Sequence, residues 1–169
     1  MKQLKTLLIA AALFIGANQT ISAQAKVAHI DVQELMTNMP EMKTAQAQVK
    51  KISETYDNEY KTMVTEYQNK MKKYESEAST VTEAVNETRA KEMQDMGQRI
   101  QQYRDTAQKE LQQKEMDLVK PIMDKAKAAI QKVAKVKGFQ YVLDATPGSG
   151  VIVAEGPSLL TDVKKELGF

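Results

Sequence analysis

The 169-residue chain has no cysteine, no tryptophan, a single histidine, four prolines and seven glycines. Without cysteine there can be no disulfide, no cysteine-ligated metal, no thiol nucleophile and no lipid-modified cysteine behind an export signal. The one histidine, His29, stands two residues before Asp31. Asp31 reads as a helix cap, so no pair of acid–base groups converges on a pocket. The loop Pro147-Gly148-Ser149-Gly150 has neither the lysine nor the spacing of a phosphate-binding loop and reads as a hairpin turn. Acidic side chains alternate with Lys and Arg, which is the pattern of a solvated helix face and not of metal ligands. The sequence therefore offers no catalytic, cofactor-binding or metal-binding residue, and the chain reads as a non-enzyme.

Long apolar runs are equally scarce. The single candidate, residues 7–17, follows Lys2 and Lys5 and precedes small residues from Ser22 to Ala25, the layout of a secretory signal. It is shorter than the about 20 residues needed to cross a bilayer. Residues 1–25 are expected to be a signal peptide cleaved after Ala23 or Ala25, releasing a soluble product with no stable membrane insertion. Cleavage removes two lysines from a total of 24 basic and 22 acidic residues, which leaves the product formally neutral. That balance does not support a basic face for nucleic acid.

Turn-forming residues are missing where they matter most. Between Glu41 and Lys137 the only glycine is Gly97 and the only proline is Pro121, so this stretch is expected to be helical. Val49, Ile52, Tyr56, Tyr60, Met63, Tyr67, Met71, Tyr74, Ala78 and Val81 recur at intervals of three and four, as in a coiled-coil seam. Met93, Met96, Ile100, Tyr103, Ala107, Leu111, Leu118 and Ile122 form a second stripe. A single rod would place the strand-like ends of the chain about 145 Å apart, leaving neither with a partner. The chain must therefore double back. The expected turn lies at residues 78–85, with a capping box from Thr80 to Glu83.

The ends supply the strands. "KVAHID" alternates as a half-buried strand, and Asp31 with Glu34, then Asn38 with Glu41, look like successive helix starts. "GFQYVLDATPGSGVIVAEG" reads as a hairpin that joins the first strand in a three-stranded sheet, followed by a short helix capped by Thr161. Pro121 is expected to act as a hinge where the arm meets the base. Beyond it Ile122, Met123, Ala126, Ala129, Ile130, Val133 and Val136 make a broader apolar face that packs on the sheet, and Gly138 stops the helix. The resulting fold class is α+β: a base of residues 26–40 and 120–169, and a helical hairpin arm of residues 41–119. So small a base is marginal on its own and is expected to oligomerise.

A signal-like start, "VAHIDVQELMTNMPEMKTAQ", a long polar hairpin, "PIMDKAKAAIQKVAKVKGFQYVLD", a glycine-containing turn, "GVIVA" and "LTDVKKELG" together resemble the Skp, or OmpH, family of periplasmic chaperones. The resemblance covers essentially the whole exported chain. It implies a jellyfish-like homotrimer, with three arms around a cavity that holds unfolded outer-membrane β-barrel proteins without ATP. It makes Val27, Ile30, Phe139, Tyr141, Leu143, Val151 and Val153 assembly positions. The family's arm tips are cationic. Residues 75–95 here carry six acids against Arg89 and Lys91, so a lipopolysaccharide site is not transferred.

The seam itself leaves two readings open. Its tyrosines and methionines either face the partner helix only, or some of them also touch clients; Tyr60, Met63, Tyr67, Met71, Met96 and Tyr103 are the candidates, because thioethers and amphipathic rings adapt to many partners. A structural or adaptor coiled-coil protein of the cell envelope, binding one folded partner through acidic tips, is the competing function.

Overall fold

The computed structural model describes residues 25–169; the expected signal segment lies outside the described residues apart from Ala25. Strand β1 (Val27–Ile30) leads into helix α1 (Val32–Asn38), helix α2 (Pro40–Glu77) and helix α3 (Glu83–Lys137). Strand β2 (Tyr141–Asp144) and helix α4 (Leu160–Leu167) complete the chain. Helix α2 has 38 residues and extends about 57 Å at 1.5 Å per residue, and α3 returns alongside it.

Local chemistry sets most boundaries. Asp31 caps α1, its Oδ1 accepting from the Glu34 amide at 2.7 Å. The cap expected at Asn38 falls instead on Met39, because Pro40 already occupies the first turn of α2. Asn38 belongs to α1 and donates its side-chain amide back to the Glu34 carbonyl at 2.8 Å. The reversal lies within residues 78–82, inside the expected span, but it lacks the Thr80–Glu83 capping box. Thr80 turns its hydroxyl to the Glu77 carbonyl at 2.8 Å, and Thr82 is the cap without a side-chain bond. Asn86 bridges the turn by donating to the Ala78 carbonyl at 2.9 Å. At the far end Gly138 adopts φ 75°, and the Phe139 amide reaches the Ala134 carbonyl at 2.9 Å, so the left-handed stop falls on the one residue type that pays no Cβ penalty there. Helix α3 runs unbroken through Pro121.

The sheet differs from the expected three-stranded hairpin. β1 pairs with β2 in parallel, Val27 opposite Tyr141 and Ile30 opposite Asp144. Parallel pairing needs a long crossover, and the whole helical arm is that crossover. Residues 151–155, expected to be the returning strand with Val151 and Val153, form no strand. The Pro147–Gly150 loop turns, with the Ser149 amide on the Thr146 carbonyl at 2.9 Å, but does not fold the chain back onto β2. The chain instead crosses to the other edge of β1, where the His29 amide donates to the Pro157 carbonyl at 3.0 Å and the Leu159 amide to the His29 carbonyl at 2.9 Å.

The core lies between this sheet and the lower part of α3. Ala28 and Ile30 on the inner face of β1 pack with Leu35, Met39, Met42, Ile122, Ala126, Ala129 and Val133, closed at one end by Leu159 and Val163. The α3 side of this core is built largely of small alanines, Ala126, Ala129 and Ala134. Met123 and Val136, expected on this face, point outward and are exposed. Helix α4 begins after Leu159, with Thr161 inside its first turn and not at its cap. Half-exposed ion pairs tie α4 to its neighbours, Lys164 to Glu34 at 2.9 Å and Lys132 to Glu166 at 2.5 Å. Water screens such pairs, so the buried Val163 and Leu159 hold the helix more firmly.

Candidate functional site

The arm's two stripes do meet, but polar tips on aromatic bodies make much of the junction. The hydroxyl of Tyr56 on α2 donates to Glu110 Oε2 on α3 at 2.7 Å, and that of Tyr103 on α3 donates to Glu59 Oε2 on α2 at 2.6 Å. The two rings touch edge to face, with centroids 6.3 Å apart and planes at 74°. Burial, followed by the Glu59 carboxylate, pushes the Tyr103 hydroxyl from its ordinary 10.0 up to about 12. The hydrogen bond to Glu110 likewise raises Tyr56.

Nearer the tip a second group crosses the hairpin. Glu92 accepts from the Tyr74 hydroxyl at 2.5 Å and pairs with Lys70. Those two bonds, Lys70 first, hold the Glu92 carboxyl below the usual carboxylate value. Arg89 lies 4.5 Å over the Tyr74 ring and bonds Glu77 Oε2 at 2.6 Å. Part of the acidic excess at residues 75–95 is therefore consumed inside the hairpin.

Of the six candidate contact residues, Tyr60, Met63, Tyr67 and Tyr103 are half-buried along the seam, and Met71 is exposed. Met96 is only 8% exposed and belongs to the packing between the helices, which removes it from the accessible surface of the arm. Sequence reasoning missed the glutamates. Their place opposite the tyrosines depends on the stagger between two helices, which neither stripe encodes.

The base presents the opposite situation, apolar groups without cover. On the outer sheet face Tyr141 is 60% and Leu143 46% exposed, and Val27 beside them is exposed too. Phe139 and Val151 are half-buried, and Ile30 is in the core. Ile152 and Val153 are 97% and 71% exposed, in a segment that makes no backbone hydrogen bond among the described residues. Among the described residues the outer edge of β2 has no strand beside it. Next to it an open groove of ≈ 1020 Å³ is lined by Val32, Met36, Met123, Ile130, Phe139 and Val142, among others. Asp144 lies at this end. Burial works to raise its pKa, but hydrogen bonds from Thr146 and the Val32 amide outweigh that and hold it low.

Among the described residues no three His, Cys, Asp or Glu side chains gather as metal ligands, and no helix is long and apolar enough to cross a membrane. These features define a class: a polar two-helix arm on a small sheet base with exposed apolar groups. Residues 26–167 match the family described as outer membrane protein (OmpH-like), and the chain belongs to that family. It is 25% identical to the chaperone protein Skp of Photorhabdus laumondii over 169 residues, 97% of this chain and 99% of the relative. Its fold is similar to a crystal structure from Caulobacter crescentus described as an OmpH-like outer membrane chaperone. The TM-score there is 0.76 at 19% identity, over 86% of this chain and 85% of that one.

Proposed function

We propose that this protein is an ATP-independent periplasmic holdase, exported by a cleaved signal peptide. Three copies share a base, and their arms enclose unfolded outer-membrane β-barrel proteins so that they do not aggregate. The observation that carries the reading is the pairing of a long polar arm bearing half-exposed tyrosines and methionines with a base whose apolar face and strand edge stand open. A neighbouring copy can cover that base. Its unpaired residues 151–155 are rich in strand-forming valine and isoleucine and suit the vacant edge of β2. Val27, Tyr141, Leu143 and Val153 then become interface, while Ile30 and Phe139 support it from beneath. Membership of a family whose named relatives are chaperones supports the same reading.

The arms act through many weak contacts. Scattered apolar groups on polar walls hold an unfolded chain without a deep pocket, and three arms acting together raise affinity. The client leaves when insertion into a membrane buries more apolar area than the cavity does. An aggregation assay tests this: an unfolded β-barrel protein diluted from denaturant should stay soluble at about one trimer per client. Unchanged precipitation, with binding only to a folded partner, would point to the adaptor instead.

A further inference from the structure

Partway along the arm the two helices leave a gap. Tyr56 and Tyr60 of α2 stand across from Tyr103, Arg104, Ala107 and Leu111 of α3 around a cavity of ≈ 380 Å³. Ala107, a small residue at a seam position, is one of its walls. The rings that wall it are held in place. The Tyr56 and Tyr103 hydroxyls bond Glu110 and Glu59, and the two rings stand edge to face. The Tyr60 hydroxyl has no hydrogen-bond partner among the described residues. Asp57 and Arg104, both exposed, put one charge of each sign at the rim.

Resting on the holdase reading, we propose that this notch receives a single aromatic side chain of an unfolded client. Three tyrosine rings offer a fourth ring the edge-to-face or offset contacts that aromatic groups prefer, and the Arg104 guanidinium can lie on its open face. The rim supplies partners for a tyrosine hydroxyl or an indole N–H, Arg104 as donor and Asp57 as acceptor. An aliphatic side chain would gain only burial. Outer-membrane barrel strands carry aromatic residues at both edges of their apolar band, so such clients present this side chain repeatedly. One notch on each of three arms gives weak and exchangeable sites that select by residue type and not by sequence.

The absence of tryptophan makes the test direct, since a probe peptide bearing one tryptophan supplies the only indole emission. A synthetic transmembrane β-strand peptide with a central tryptophan is titrated with the purified protein, and its leucine counterpart competes against it. The tryptophan peptide should bind about three- to ten-fold tighter, with a blue-shifted emission. Ala107→Leu narrows the notch and should lower the ratio; Tyr60→Leu, which keeps apolar bulk but removes a ring, should lower it if Ala107→Leu proves unfolded by circular dichroism. Equal affinities in the parent protein overturn the proposal, as does a ratio that survives both substitutions. A change of oligomer mass in Ala107→Leu would make the notch a contact between copies, and that also overturns it. Aggregation suppression by the parent protein is measured alongside: its failure sinks the holdase reading, whereas suppression without aromatic preference sinks only the notch.

Discussion

The Tyr103 hydroxyl donates to Glu59 at 2.6 Å, joining residues 44 positions apart and fixing the stagger of the return helix on the outgoing one. A coiled-coil seam of leucines would slide more easily, because apolar contacts have little direction. The phenol–carboxylate bond has both a direction and a length.

This bond has a pH signature. The Tyr103 phenol stays neutral up to about 12 in the folded protein, against an ordinary 10.0, so folding favours its protonated form. The stabilisation is complete below pH 10.0 and is lost as pH rises through about 12. Tyr103→Phe should remove a phenol that titrates at about 12 from an absorbance titration and flatten the alkaline loss of stability. It should also lower stability at neutral pH by about 1 kcal/mol in chemical denaturation.

Glu92 works in the opposite sense. Its pKa is lowered by Lys70 and Tyr74, so its contribution is present above the ordinary value of 4.5 and fades as pH falls below that through the folded value. With the intrinsic slowing of amide exchange at lower pH corrected for, protection at the tip should fall on acidification. In Glu92→Gln the tip should exchange faster at neutral pH and lose that acid dependence.

The open sheet face makes a prediction about mass. Leu143→Asp with Val153→Asp places charges on two exposed base positions, neither of which packs in the core of one chain. The double variant should dissociate to monomers by light scattering while keeping its arm helicity in the far ultraviolet. A mass equal to that of the parent oligomer would show that these positions lie outside the interface.

Met96 and Tyr60 should separate packing from client contact. Met96→Ala opens a cavity in the seam and should cost about 2 kcal/mol of stability, leaving client retention intact at temperatures where the arm is folded. Tyr60→Ser with Tyr67→Ser should weaken retention of an unfolded barrel protein severalfold with a smaller effect on assembly. Parallel losses of both in the tyrosine variant would mean that these rings serve only the seam.

The features legible in the sequence are those set by neighbours along the chain. Asp31 caps its helix because Glu34 is three residues on, Gly138 ends α3 because only its own backbone must turn, and the stripes show because the helical period is local. The expected hairpin at residues 138–156 failed for the complementary reason. Apolar alternation in residues 151–153 says that the segment suits a strand, but its pairing depends on what lies beside it, and after the Pro147–Gly150 loop the chain leaves β2 for the far edge of β1, where residues 157–159 bond His29. Parallel order was hidden as well, since nothing local distinguishes a strand that joins its sequence neighbour from one that joins residues more than a hundred positions away. At the arm, tyrosine spacing was visible while the matching glutamates were not, because helix stagger follows from the turn and the base together.

Lys26 and Gln140, which bond at the mouth of the strand pair, are 114 residues apart, and everything between them is arm and lower helix. Synthesis therefore delivers the first strand long before its partner exists, and the pair cannot close until the whole arm between them has been made. Until then each new copy is itself an incomplete polypeptide with bare valines and an unzipped strand. On the proposed holdase reading, a newborn chain thus shares its own exposure with the cargo it is later to shelter.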